Sequence, residues 1–218
     1  MGPRKSRRGR RAFPRPTTGT RVPKKAILIV CEGKCTEPDY FNYLRRKWKI
    51  NPKLVDVQII GADQCGNDPK SIVRYAKEQR DDRKKSKELA FDSIWCVFDV
   101  EAPPHLSLPD AISQAADLKF NLALTNPAFE YWLLLHFNNT SRPLTPSGQA
   151  MKELCKHLPD YNKNLPDEMM EDISPLTSTA VKRARERFGS YSISDVKETN
   201  PSTHVYKLVE ELDSQSIG

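Results

Sequence analysis

The chain reads as an α/β protein: a parallel sheet flanked by helices on both faces, followed by a helical C-terminal portion. Three observations predict this. Short runs rich in Ile, Val and Leu alternate with amphipathic stretches of helical length between positions 26 and 137. The first run, Ala26 to Cys31, is apolar at every position, the pattern of a strand covered on both faces. After Asn138 and the bend SRPLTP, the pattern changes to helices and loops only.

Taken in order, Ala26 to Cys31 is a strand that ends in a tight turn carrying Glu32 and Gly33. Thr36 is an N-cap with Asp39 three residues on, and Pro38 is tolerated in a first helical turn. Pro38 to Lys49 is then a helix with Tyr40, Phe41, Leu44 and Trp48 on its inward stripe. Leu54 to Ile60 forms a second strand, and Gly61 to Pro69 a polar loop. Ser71 to Lys85 is a helix whose charge-dense end, EQRDDRKKSKE, reads as a solvated face. Ser93 to Val100 is the third strand, Pro109 to Lys119 a short helix and Asn121 to Thr125 the fourth strand. Asn126 and Pro127 open an apolar helix, NPAFEYWLLLHF. Helices over Ser147 to Leu158, Pro175 to Phe188 and Ser202 to Ser214 complete the chain. The organisation is thus a basic arm over 1–23, an α/β core over 24–137 and a helical extension over 138–218.

The 218 residues suffice for one well-buried domain. No apolar run reaches membrane-spanning length, and the basic N-terminus lacks the apolar centre of a signal peptide, so a cytoplasmic protein is expected. The net charge of +7 is unevenly distributed. Residues 1–25 hold ten Lys or Arg and no acid, whereas the remainder has 25 basic and 28 acidic residues, a balance of −3. Residues 1–23 are also rich in Pro and Gly and are expected to be disordered. Two readings fit this arm: a solubilising extension, or a segment that touches nucleic-acid phosphates without sequence preference. The five cysteines include no CxxC pair, and the four histidines have no zinc-ligand spacing to them, which argues against structural zinc.

The chemistry concentrates at strand ends. Glu32 sits at the carboxyl edge of a strand, where open α/β sheets bind ligands, and Gly33 beside it leaves room for a metal or phosphate. Asp99 and Glu101, in IWCVFDVE, alternate along an extended segment and so point to one face. Three such carboxylates suit a divalent cation; without one they would repel and partly protonate. The rival reading is structural: Glu32 accepts amides of the following helix, and Asp99 caps the next segment. Glu37 is either another oxygen ligand or a charge that favours the positive end of its helix. Glu130, within an apolar helix, needs a partner if buried. His136 on that helix reads as a satisfied core histidine. Asn126 either bonds a neighbouring strand end or caps its helix, and Lys34 and Lys182 either meet phosphate or are surface charge.

The segments ILIVCEGKCTEPDYF, DPKSIV (Asp68 to Val73), WCVFDVE, LTNPAFEYWLLLHF and NPSTHVYKLVEEL occur in this order over Ala26 to Leu212. With them the chain resembles the RloB-like proteins, a prokaryotic group encoded beside restriction-modification and other phage-defence genes. The strand–Glu–Gly and strand–Asp–x–acid arrangement in turn looks like the TOPRIM fold of topoisomerases, bacterial primases and OLD-type nucleases. That likeness implies Glu32 as acid/base and metal ligand, with Asp99 and Glu101 holding Mg2+ or Mn2+. Glu101 departs from the second Asp of that pattern, and its longer reach leaves one-metal and two-metal operation both open. The implied function is a metal-dependent nuclease of anti-phage defence, acting on nucleic acid and possessing a defence-system partner protein. The alternatives are a non-catalytic nucleic-acid-binding or regulatory subunit that relies on the arm, and a nucleotidyl transferase using the same carboxylates.

A phosphate-binding P-loop fails at GKCT, because the first Gly of that motif would fall at Leu28 and Cys35 takes the Ser/Thr position. No glycine-elbow serine is present either.

Overall fold

A computed structural model describes residues 25–101, 103–146 and 148–216. The arm expected at 1–23 lies outside the described residues. The chain is α/β, with a five-stranded sheet in the order β2-β1-β3-β4-β5. Here β1 is Lys25–Cys31, β2 Val55–Ile60, β3 Ser93–Asp99, β4 Asn121–Asn126 and β5 Ser202–Thr203. The first four are parallel; β5 runs antiparallel to β4, pairing Thr125 with Thr203 and Asn126 with Ser202. This mostly parallel sheet flanked by helices is consistent with a TOPRIM-like arrangement.

Strand alternation divides the core in two. Ile27, Ile29 and Cys31 of β1, with Trp95 and Val97 of β3, face one layer. That layer contains helices α1 (Thr36–Lys47), α5 (Glu130–Phe137), α6 (Gly148–Leu154), α8 (Thr177–Phe188) and α10 (Val205–Asp213). Leu28 and Val30, with Ile94, Cys96 and Phe98, face the opposite layer of α3 (Pro69–Lys85), α4 (Leu108–Leu118) and α9 (Ile193–Glu198). Burial on both faces explains why β1 is apolar at consecutive positions.

Several local expectations are corrected. Residues after Asn138 are not helices and loops only, because Ser202 and Thr203 extend the sheet and α8 and α10 complete the same core as α1 and α5. Thr36 is the first residue of α1 and not its cap; its hydroxyl donates to Lys163 O at 2.8 Å. Helix α3 begins earlier than expected because Asp68 caps it, accepting from Lys70 N at 3.1 Å and Ser71 N at 3.3 Å, with Pro69 in the first turn. Part of the expected loop before it is a helical turn, α2 (Ala62–Cys65). Two further helices, α7 (Asp167–Ile173) and α9, were not expected. The latter carries a capping box of Ser192 and Asp195, the one legible sign of it.

The charge-dense end of α3 is not wholly solvated. Arg83 is buried, pairs with Asp56 at 2.8 Å and lies 4.3 Å over the Phe91 ring. Among the described residues, no helix is long and apolar enough to cross a membrane.

Candidate functional site

The chain leaves β1 toward β2 through α1 on one face, then crosses back to β3 through α3 on the other. The crevice between the carboxyl ends of β1 and β3 is therefore the topological switch point, where open α/β sheets bind ligands. Glu32 follows β1 directly and Asp99 ends β3. The two strand tips are bonded to one another: Glu32 N donates to Val97 O at 2.9 Å, and Asp99 N donates to Glu32 Oε2 at 2.8 Å.

A cleft of about 870 Å³ opens over these tips. Glu32, Gly33, Lys34, Glu37, Asp99, Glu101 and Glu130 all line it. Asn126 and Lys182 do not. The Asn126 amide donates to Val196 O at 3.3 Å and Lys197 O at 2.9 Å, tying the end of β4 to α9 instead of to a strand end. Lys182 is an exposed residue of α8, 3.9 Å from Glu186, and lines a separate groove beside Trp48.

The geometry of the acids differs in detail from the expectation. Asp99 and Glu101 do not alternate along one extended segment, since β3 stops at Asp99 and Glu101 adopts a left-handed φ of 60°. The Glu101 amide is held there by Pro127 O at 2.9 Å, so a turn rather than pleat alternation brings the exposed Glu101 to the cleft. Nor does Gly33 leave empty room. A Cβ at that position would lie 1.8 Å from Glu37 Oε2, so the space is filled by the Glu37 carboxylate. Glu37 is almost fully buried in the first turn of α1. Glu130 is also buried, and its required partner is Tyr161, whose hydroxyl donates to Oε1 at 3.0 Å.

Burial dominates the electrostatics, and the crowding of the acids adds to it. Burial pushes Glu32 up to about 7, against a lowering from the Asp99 amide, and the Glu101, Glu37 and Asp68 charges push it further. Burial likewise pushes Glu37 up to about 7, opposed by amides of its own residue and of Gly33; Glu130 raises it and Lys163 lowers it. Asp99 is raised well above the usual carboxylate range by burial and by Glu37, Glu32 and Glu130, in that order. His136 has no part in this. It is fully enclosed, with Nδ1 3.1 Å from the Trp132 and Leu133 carbonyls and Nε2 3.3 Å from the Tyr40 hydroxyl, and burial lowers it to about 4.

The cleft contains residues that sequence reasoning missed. Asp68, His105, Lys163 and Asn164 all line it, the last two close in sequence to the Tyr161 that bonds Glu130. Asp68 lay within the recognisable DPKSIV segment. The YNKN stretch at Tyr161 to Asn164 has no motif, and it reaches the site from 31 residues beyond Glu130 and 127 beyond Thr36.

The donor set consists of carboxylate oxygens that oppose one another's ionisation, which fits a hard divalent cation such as Mg2+. Among the described residues, no three His, Cys, Asp or Glu side chains already surround one metal position. The carboxylates ring a cleft instead of forming a closed cage. Mg2+ is commonly held this way, by one or two carboxylates with water and substrate oxygens completing the shell.

Fold and cleft together define an α/β protein with an acidic crevice at its sheet switch point. The family model described as RloB-like protein matches residues 27–212. The chain belongs to the RloB-like family. No curated protein and no solved structure matches it.

Proposed function

We propose that this RloB-like chain is a Mg2+- or Mn2+-dependent nuclease that cleaves nucleic-acid phosphodiester bonds in prokaryotic anti-phage defence. The single observation that supports it most is the Asp99 N to Glu32 Oε2 bond at the switch point, which sets the two acids on one cleft with Glu101. Asp99 and Glu101 would hold the ion, with Glu32 as acid/base and further ligand. The bound ion would neutralise charge developing on phosphoryl oxygens and lower the pKa of a water. Glu32, at the strand tip beside the ion, would be placed to take a proton from water and return it to the leaving oxygen. Its bond to the Asp99 amide keeps one oxygen fixed and leaves the other for that exchange.

The TOPRIM-like assignment of the sheet and the defence context rest on the resemblance of the motifs, and the nucleic-acid partner follows from the chemistry. The test uses labelled DNA and RNA, single- and double-stranded, with Mg2+ or Mn2+. Glu32→Gln and Asp99→Asn are expected to keep the circular dichroism of the native chain and to lose cleavage by a factor of about 100 or more. Cleavage by both variants at the native rate would refute the assignment. Incorporation of labelled nucleotide without scission would favour nucleotidyl transfer at the same carboxylates.

A further inference from the structure

A polyanionic substrate approaching this cleft meets a surplus of negative charge, so something other than the acids must receive its phosphates. Two lysines line the cleft. Lys34 is paired with an acid, its Nζ 2.8 Å from Asp63 Oδ1 in a largely exposed salt bridge. Lys163 has no carboxylate oxygen within 4.0 Å among the described residues, although its charge is felt at Glu37.

The backbone that presents Lys163 is tied to the site at two points. The Thr36 hydroxyl, in the first turn of α1, donates to Lys163 O at 2.8 Å. Two residues earlier, the Tyr161 hydroxyl donates to Glu130 and lies 3.3 Å from the same Thr36 oxygen. Lys163 itself has a φ of 68°, in the left-handed region that non-glycine residues seldom occupy unless surrounding contacts hold them. An exposed lysine on a free loop would lose backbone as well as side-chain freedom on meeting an anion; here the backbone part is already fixed.

We propose that Lys163 is the phosphate-binding element of this cleft, a subsite that receives a phosphoryl group of the substrate in the same cleft as the Glu32 and Asp99 tips. The inference rests on the reading of the cleft as a site of phosphodiester chemistry. Thr36 and Tyr161 act through it as positioning residues. The ligand class is a phosphodiester or diphosphate oxyanion, bound by charge and by the three donors of an ammonium group.

The experiment uses the full chain with Mg2+ and inorganic pyrophosphate as probe, followed by calorimetry, so that the basic arm is common to every protein compared. Loss of a charge-assisted hydrogen bond predicts that Lys163→Met weakens pyrophosphate about tenfold or more. Lys163→Arg and Lys34→Met are expected to stay within about threefold of the native chain, the first because it keeps the charge and the second because Lys34 is already paired. In a cleavage assay the same Lys163→Met change raises KM more than it lowers kcat. An unchanged pyrophosphate affinity in Lys163→Met, an equal loss in Lys34→Met, or no saturable binding to the native chain would each overturn the subsite. The two readings fail separately. A native chain that binds pyrophosphate through Lys163 yet cuts no nucleic acid removes the nuclease and keeps the subsite. Cleavage that is indifferent to Lys163→Met does the reverse.

Discussion

Glu37 occupies the space that a side chain at position 33 would need, and this contact accounts for the glycine next to Glu32 better than any turn requirement, since Gly33 is not among the left-handed residues. Burying Glu37 beside Glu32, Asp99 and Glu130 carries a pH signature. A carboxyl group whose pKa rises from 4.5 in the unfolded chain to about 7 in the folded one binds its proton more tightly when folded. The stability this confers is complete below about 4.5 and is lost as the pH climbs through about 7. Glu37→Gln cannot ionise. In the presence of a chelator it should therefore become progressively more stable than the native chain between pH 5 and pH 8, as read from urea midpoints. A constant difference across that window would show that Glu37 is not the group under strain. The sequence named Glu32, Glu37, Asp99, Glu101 and Glu130 because each stands beside a strand end or within an apolar helix. It could not give Tyr161 or Lys163, whose contacts depend on where a long loop returns.

Helix α3 shows how an element can carry charge and still anchor the sheet. Its apolar residues Ile72, Val73 and Ala76 pack on Leu28 and Val30 of β1, while Arg83, two turns further on, reaches Asp56 of β2 and the Leu89 carbonyl. The composition of EQRDDRKKSKE hid this, because one buried arginine among exposed charges has no distinguishing pattern. Removing its guanidinium takes the ion-pair partner from the half-buried Asp56 and uncovers Phe91. Arg83→Ala is accordingly expected to cost about 2–4 kcal/mol by chemical denaturation, against less than about 0.5 kcal/mol for Lys84→Ala on the exposed side. Equal effects would return this end of α3 to the solvated face that its composition describes. At the other end of the same helix the Asp68 cap was not read as one, and α3 begins at Pro69 and not at the expected Ser71. Nor were helix limits legible where tertiary contacts recruited the capping residue, as with Thr36.

At the scale of the whole molecule, the parallel strands follow from the alternation of apolar runs with amphipathic helices and were readable in the sequence; the strand order that puts the switch point between β1 and β3 was not. The antiparallel β5 was not, because two residues, Ser202 and Thr203, are too few to carry a strand pattern. The C-terminal segments do more than extend the core. They bring α8 and α10 against the same face as α1 and α5, and they return Tyr161 and Lys163 to the acidic cleft. The central claim is that the tips of β1 and β3 present Glu32 and Asp99 to one cation. Anomalous scattering from crystals of the full chain soaked in Mn2+ tests it most directly. The account predicts a peak within coordination distance of Glu32 and Asp99 that disappears in Asp99→Asn; a cleft without a peak, or a peak bound elsewhere and untouched by that substitution, would contradict it.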